Sequence, residues 1–216
     1  MSDLEITCVG SRPDLYAASP TVVFRLRVAE KTGVRMHAMM LRCQIRIEPQ
    51  RRRYDAAEAE QLLELFGETP QWGDSLKPMQ FASIGLMVPS FTGHIEVDVP
   101  VPCTYDFEVA TAKYFHSLIE GEIPLLLLFS GTAFLKTEAG FQIEQVPWHL
   151  EDRHRMPVTV WRELMDGFFP NSGWIRVRRE TLDALQRYKG RRVFSSWEDA
   201  FAALLKQAGE GEDVAP

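Results

Sequence analysis

The sequence predicts an α+β fold. An antiparallel β-sandwich-like domain with inserted helices is expected over residues 1–150, a small, mainly helical C-terminal region over 151–208, and a disordered tail over 209–216. Three observations lead there. Apolar and polar residues alternate in several separate stretches, the mark of half-buried strands. One run, Leu125-Leu126-Leu127-Leu128-Phe129, is apolar without alternation and reads as a central strand covered on both faces. The last third changes to the spacing of amphipathic helices.

The strands come first. In Thr21 to Val28, Val22, Phe24, Leu26 and Val28 share one side, with Val23, Arg25 and Arg27 on the other. After a Lys31-Thr32-Gly33 turn, His37, Met39, Leu41, Cys43, Ile45 and Ile47 alternate with Arg42, Gln44, Arg46 and Glu48 until Pro49 stops the run. These two segments are expected to pair as a hairpin. Gly93 to Cys103 places Ile95, Val97, Val99 and Val101 opposite His94, Glu96, Asp98, Pro100 and Pro102. Its prolines cannot donate ladder hydrogen bonds, so its end belongs at an edge. The leucine strand continues through Gly131, where a bulge is expected, and returns after a polar turn as Phe141 to Val146. With Leu4 to Val9, about six strands follow.

Helices interrupt and follow them. Asp55 with Glu58 resembles a capping box, Ala59, Leu62, Leu63 and Phe66 form an apolar stripe, and Gly67 supplies the stop. Residues 68–90, rich in Pro and Gly around Trp72, Phe81 and Met87, read as an irregular connection. Asp106 to Ile119 carries a helical apolar face. A soft boundary near residue 150 is marked by Pro147, the charged cluster Glu151 to Arg155, and Pro157. Beyond it, a helix with Val160, Trp161, Leu164 and Met165 inward, a short strand from Trp174 to Val177, a helix from Thr181 to Lys189, and a final helix capped by Ser195 and Glu198 are expected.

Composition excludes several classes. With 216 residues, 45% hydrophobic and 25% charged, the chain should bury roughly 70% of its unfolded surface, enough for a substantial core. Three widely spaced cysteines, Cys8, Cys43 and Cys103, argue against a disulfide framework and suit a reducing compartment, so a cytoplasmic location is expected. The N-terminus has neither the basic nor the apolar region of a secretory signal. The longest apolar run, Ile123 to Phe129, is too short for a helical span of about 20 residues, so no membrane insertion is expected. Charge is uneven, +5 over residues 1–54, −11 over 55–150 and zero over 151–216, for a net −6. A basic arm for nucleic acid built on Arg35, Arg42, Arg46, Arg51, Arg52 and Arg53 is one reading. Pairing of basic strands with acidic ones is favoured, since aromatic residues do not interleave with the arginines, and no nucleic acid is expected as a partner.

Chemistry-bearing patterns are sparse. No phosphate-cradling glycine motif occurs, and Ser130 lacks the preceding glycine of a nucleophile elbow. His149 and His154 bracket Glu151 and Asp152, but a spacing of five does not align two ligands on a helix. His37 and Cys43 read as core residues. Cys103 stands where a strand ends and a helix begins, a place that lowers a thiol pKa and would make it reactive. Glu96 and Asp98 share a strand face, where pairing with Arg42 or Arg46 is the expected role. Trp148, Trp161, Phe169 and Trp174 cluster in sequence and are the candidate interaction anchors if they are not core.

The run from Val101 to Phe134, VPCTYDFEVATAKYFHSLIEGEIPLLLLFSGTAF, resembles a family of uncharacterised bacterial proteins associated with actinobacterial-type NiFe hydrogenase gene clusters. So do Gln145-Val146-Pro147-Trp148, Val160 to Asp166, and Phe169 to Trp174. The resemblance spans about Pro20 to Leu205 and carries over no catalytic residue. It implies a cytoplasmic accessory protein, with a hydrogenase subunit or maturation factor as its protein partner. The expectation is a non-enzymatic interaction protein with no catalytic, cofactor-binding or metal residues and no cofactor. Two alternatives stay open. One is a hydrolase or thiol-dependent enzyme near Cys103 and the Tyr105-Asp106 turn, and the other is a metal-handling protein using His37, His94 or His116 with cysteines.

Overall fold

Alternating sequences fold into strands wherever one face can be buried, and here they build two antiparallel sheets around one core. The computed structural model describes residues 3–104, 109–137, 140–170, 172 and 175–209. Its elements in chain order begin with β1 (Leu4–Asp14), β2 (Thr21–Glu30), β3 (Arg35–Ile47), α1 (Ala56–Gln61), α2 (Leu63–Phe66), α3 (Trp72–Ser75) and β4 (Met79–Val88). They continue with β5 (His94–Pro102), α4 (Ala110–His116), β6 (Glu122–Thr137), β7 (Gly140–Gln145), β8 (Glu151–Pro157), α5 (Val158–Phe168), α6 (Arg179–Arg192) and α7 (Trp197–Ala208). The fold class is α+β, as the alternation predicts.

The first sheet has the order β1-β2-β5. The second has five strands in the order β4-β3-β6-β7, with β8 pairing the other end of β6. Val22, Phe24, Leu26 and Val28 of β2 face Met39, Leu41, Cys43, Ile45 and Ile47 of β3 across a shared core, all of them buried. Burying each such aliphatic side chain contributes about 1.5–3 kcal/mol. α4 and α5 add Tyr114, Phe115, Leu118, Trp161, Leu164 and Met165 to the same cluster.

Period two identifies a strand's buried face but not its neighbour, and the expected hairpin is corrected on that point. β2 and β3 belong to different sheets. The link between them is held by Glu30, whose Oε1 accepts hydrogen bonds from the amides of Asp3 (3.2 Å) and Thr32 (3.1 Å) and from the Thr32 hydroxyl (2.5 Å). Burial pushes this carboxyl up, but these bonds and the Val34 amide outweigh it and hold its pKa below the usual range. β3 enters its own sheet with Met36 and Phe91 exchanging backbone bonds at 2.9 and 3.0 Å. A bulge between Met36 and Ala38 turns His37 to the exposed side, so it is not a core residue.

Two segments read as irregular are strands. β4 lies within the connection expected over 68–90, and β8 lies within the charged stretch from Glu151. In β8 only Met156 is fully buried, Asp152 and His154 are half-buried on its face, and Glu151, Arg153 and Arg155 face outward, which looks like a linker in sequence. Because β8 and α5 pack into the sandwich, the first compact unit runs to Trp174, past the boundary expected near residue 150. The second unit comprises Ile175–Pro216. Residues 175–177 form no strand, Trp174 lies outside the described residues, and so does all of the expected tail except Gly209. The final helix is capped by Ser196 with Asp199 in a reciprocal box, one residue later than expected. The start of the helix expected from Asp106 is also outside the described residues, and α4 begins at Ala110.

Gly131 makes no bulge. Its φ of +151° lies where β3 passes close by, and a Cβ there would stand inside contact distance of the Met40 carbonyl oxygen and 3.2 Å from Leu41 Cα. The charge asymmetry resolves as cross-strand pairing. Arg25 stands opposite Asp98 and bonds it at 2.9 Å, Arg12 reaches the same carboxylate at 3.1 Å, and Arg27 stands opposite Glu96. Arg42 and Arg46, expected to take these acids, are in the other sheet. Arg52 instead forms a buried ion pair with Glu58. It donates to the carbonyls of Glu120 (2.6 Å) and Glu122 (2.9 Å), while Glu58 accepts the Ile119 amide at 2.7 Å. That network ties α1 to the loop between α4 and β6.

Candidate protein-interaction face

The outer face of the five-stranded sheet is set by the residues that alternate with its core. On β3, Met40, Arg42, Gln44 and Arg46 point outward because Met39, Leu41, Cys43, Ile45 and Ile47 point in. Register then defines rows across the face. Met40 lies between Met87 of β4 and Thr132 of β6, and Arg42 lies between Gly85 and Ser130. The two methionines are 55% and 60% exposed. Glycine and serine on either side of Arg42 leave a hollow of about 460 Å³ lined by these six residues and the backbone between them.

Chemically, this hollow offers adaptable thioethers, a planar guanidinium and hydroxyls. Methionine suits surfaces that must fit a partner's shape, and arginine is enriched at protein interfaces. Leu126 and Leu128, expected to lie under a second layer, are only half-buried on this outer face. Their register neighbours are Arg46 and Arg153 for Leu126, and Gln44 and Glu151 for Leu128. Those long side chains shield them without a covering layer.

Of the four sequence-predicted anchors, the three within the described residues do not line this hollow. Trp148 is 91% exposed in the turn between β7 and β8, beside His149. Trp161 is 2% exposed and packs in the core against Phe115 (4.8 Å between ring centroids) and His116 (5.5 Å). Phe169 is half-buried against the core, and Trp174 lies outside the described residues. Met40 and Met87 were missed because their pairing is long-range. The available signal was a ten-residue run, Met79 to Val88, with no charged residue and no proline.

Cys103 does not sit at the start of α4, and burial pushes its thiol up to about 12. Burial does the same to Cys43, also to about 12, and to Cys8, to about 11. Ser130 faces outward opposite Arg42. His154 Nε2 is 2.9 Å from Ser11 Oγ, and Asp152 Oδ2 accepts the Cys8 amide at 2.6 Å, so these side chains stitch β8 to β1 across the two sheets. His154 packs edge-on to Phe24, and burial lowers its pKa. Burial also lowers His116, to about 4. Among the described residues no three His, Cys, Asp or Glu side chains gather as a metal ion requires, and no helix is long and apolar enough to cross a membrane.

No curated protein matches the chain. Among solved structures, a β-glucosidase from Kluyveromyces marxianus matches at 6% identity and a TM-score of 0.25. That match covers 72% of this chain and only 15% of the glucosidase, a likeness too slight to carry any argument. At the level of sequence families the assignment is direct: a family model matches residues 1–213, and the chain belongs to the family of unknown function DUF6084.

Proposed function

We propose that the chain is a non-enzymatic accessory protein that holds a protein partner on the outer face of its five-stranded sheet. The observation that carries this reading is the cross-strand pair Met40 and Met87, both more than half exposed, beside Arg42 in a hollow opened by Gly85 and Ser130. Single exposed apolar residues are ordinary on a protein surface. Two opposed methionines joined to an arginine-bearing hollow make a contiguous surface with the composition of an interface core. Desolvation, which pushes the three thiols up to about 11–12, supports a binding role over thiol chemistry.

The setting proposed is a cytoplasmic one around a NiFe hydrogenase, with a structural subunit or a maturation factor as the partner. It rests on the resemblance of the segment Val101 to Phe134 and the later tryptophan motifs. The test is purification of the tagged full chain from its native host, beside a Met40→Asp/Met87→Asp double variant. Recovery of a hydrogenase subunit or maturation factor by the natural chain, and its loss in the double variant at an unchanged melting temperature, is the expected result. Recovery of unrelated proteins would remove the hydrogenase setting. A partner retained by the double variant would remove this face as its binding site.

A further inference from the structure

We infer that the partner presents an extended acidic segment, which adds to β4 as a further antiparallel strand with a carboxylate side chain opposite Gly85 and an aliphatic one opposite Met87. The inference rests on the binding role proposed above and specifies the ligand chemistry and mode of attachment on that face.

The edges of the two sheets are not alike. β1 has one of its amides taken by Asp152, and it contains Arg12 and Pro13. β5 carries Glu96 and Asp98 with Pro100 and Pro102. β8 carries Glu151, Asp152, Arg153 and Arg155. Charges, prolines and covering side chains are the devices that keep an edge from pairing with another strand. β4 is an edge strand of ten residues, MQFASIGLMV, with none of the first two. Its inward residues Ile84 and Leu86 are only half-buried, so a neighbouring strand would also complete their packing.

Charge selects the kind of strand. Arg42 and Arg46 stand on the outer face one strand inward from β4, and among the described residues neither forms an ion pair with a carboxylate. A strand added to β4 would lie two spacings from β3, about 9.6 Å away. Across that gap an arginine and a glutamate side chain reach one another only if the residue between them is small. That residue is Gly85, and a Cβ built there meets nothing within 4 Å. Two positions along, the added strand's outward side chain would lie beside Met87 and within reach of Met40, where an aliphatic group is favoured. Backbone bonds would supply affinity and the alternate side chains specificity, the usual division in strand addition.

The test uses the full chain and three synthetic ten-residue peptides. The first carries threonine at its inward positions and glutamate and valine in turn at its outward ones, the second replaces each glutamate by lysine, and the third is the acidic peptide N-methylated along one edge. Fluorescence anisotropy should show salt-sensitive binding of the acidic peptide, with the lysine and N-methylated peptides at least tenfold weaker. Gly85→Val, which has room for its side chain, should weaken the acidic peptide at least tenfold with no fall in melting temperature. Arg42→Glu should reverse the preference toward the lysine peptide. Equal binding of acidic and lysine peptides, unchanged binding to Gly85→Val, or a dimer of this chain that Gly85→Val abolishes would each overturn the inference. If the methionine double variant loses the hydrogenase partner while no acidic preference exists, strand addition fails and the binding face stands. If the partner survives that variant, the binding face itself fails.

Discussion

Two glycines border the same hollow, and substituting each by alanine should move stability in opposite directions. At Gly131 the backbone has φ +151°, and a Cβ would collide with the Met40 carbonyl and crowd Leu41 Cα at 3.2 Å. Forcing an L-residue into that region costs about 1–3 kcal/mol. Displacing β3 from β6 in the middle of their shared ladder removes one or two hydrogen bonds at about 1 kcal/mol each. Gly131→Ala should therefore lose about 3 kcal/mol, which for a chain of this size lowers the melting temperature by roughly 6–12 °C. Gly85 sits in a strand with nothing within 4 Å of a built Cβ, so Gly85→Ala should gain about 0.5–1 kcal/mol by restricting the unfolded chain. Urea titrations of the two variants at matched slopes decide the matter. A loss below about 1 kcal/mol for Gly131→Ala would show that the close approach of β3 to β6 is not what that glycine serves, and a loss of any size for Gly85→Ala would show that the space beside Gly85 is not free.

Glu58→Ala should cost about 3–5 kcal/mol, because it strands the buried Arg52 guanidinium, whereas Arg25→Ala at the half-exposed Asp98 pair should cost less than about 1 kcal/mol; thermal melts of the two separate the cases. Cys43 and Cys103, their thiols pushed up to about 12 by burial, should resist Ellman's reagent at pH 8 until denaturant is added, and rapid modification of Cys103 in the native state would revive a thiol-dependent reading. Burial lowers His116 to about 4 in the folded chain, below its unfolded value, so the unfolded state takes up the proton first and stability falls as pH drops from about 6.5 toward 4. Glu30 and Asp98, held below the usual carboxylate range, add a second loss at still lower pH, and a melting temperature flat from pH 7 to 4 would contradict the histidine assignment. Trp148→Phe should remove a readily quenched emission component without changing stability, since that ring is 91% exposed.

The legible parts of the fold were those in which one element declares its own buried face. The β3 alternation from Met39 to Ile47 appears in the structure residue for residue, and so does the inward stripe Val160, Trp161, Leu164 and Met165 of α5. The partnership of β2 and β3 was not legible, because a four-residue link ending in Val34 serves a crossing between sheets as well as a hairpin. β8 was hidden because a strand at a charged edge buries few residues, and its pattern differs little from that of a solvated linker. β4 was hidden for the opposite reason. It carries no charge to sharpen the alternation, and Gly85 reads as loop punctuation. The site was lost with β4, since Met40 meets Met87 only through a pairing between residues far apart in sequence.

Edge protection and the binding face are one physical question in this sandwich. An unprotected edge is a hazard for aggregation, and three of the outer strands are equipped against it by charge, proline or a covering side chain. Leaving β4 uncharged cannot be explained by the core, because a lysine at an outward position such as Ser83 would remain in solvent and disturb no buried contact. Nor does β4's weak packing call for glycine at 85, where a β-branched residue would raise strand propensity. Both features become intelligible together if the edge is completed by another strand whose side chain must pass over Gly85 to Arg42. On that view Ser83→Glu should leave the melting temperature of the free chain unchanged and improve its solubility. It should also weaken the recovered partner by setting a like charge beside the incoming acidic strand. A Ser83→Glu chain that keeps its partner at full strength would separate the open edge from the binding face and leave the edge without a purpose in recognition.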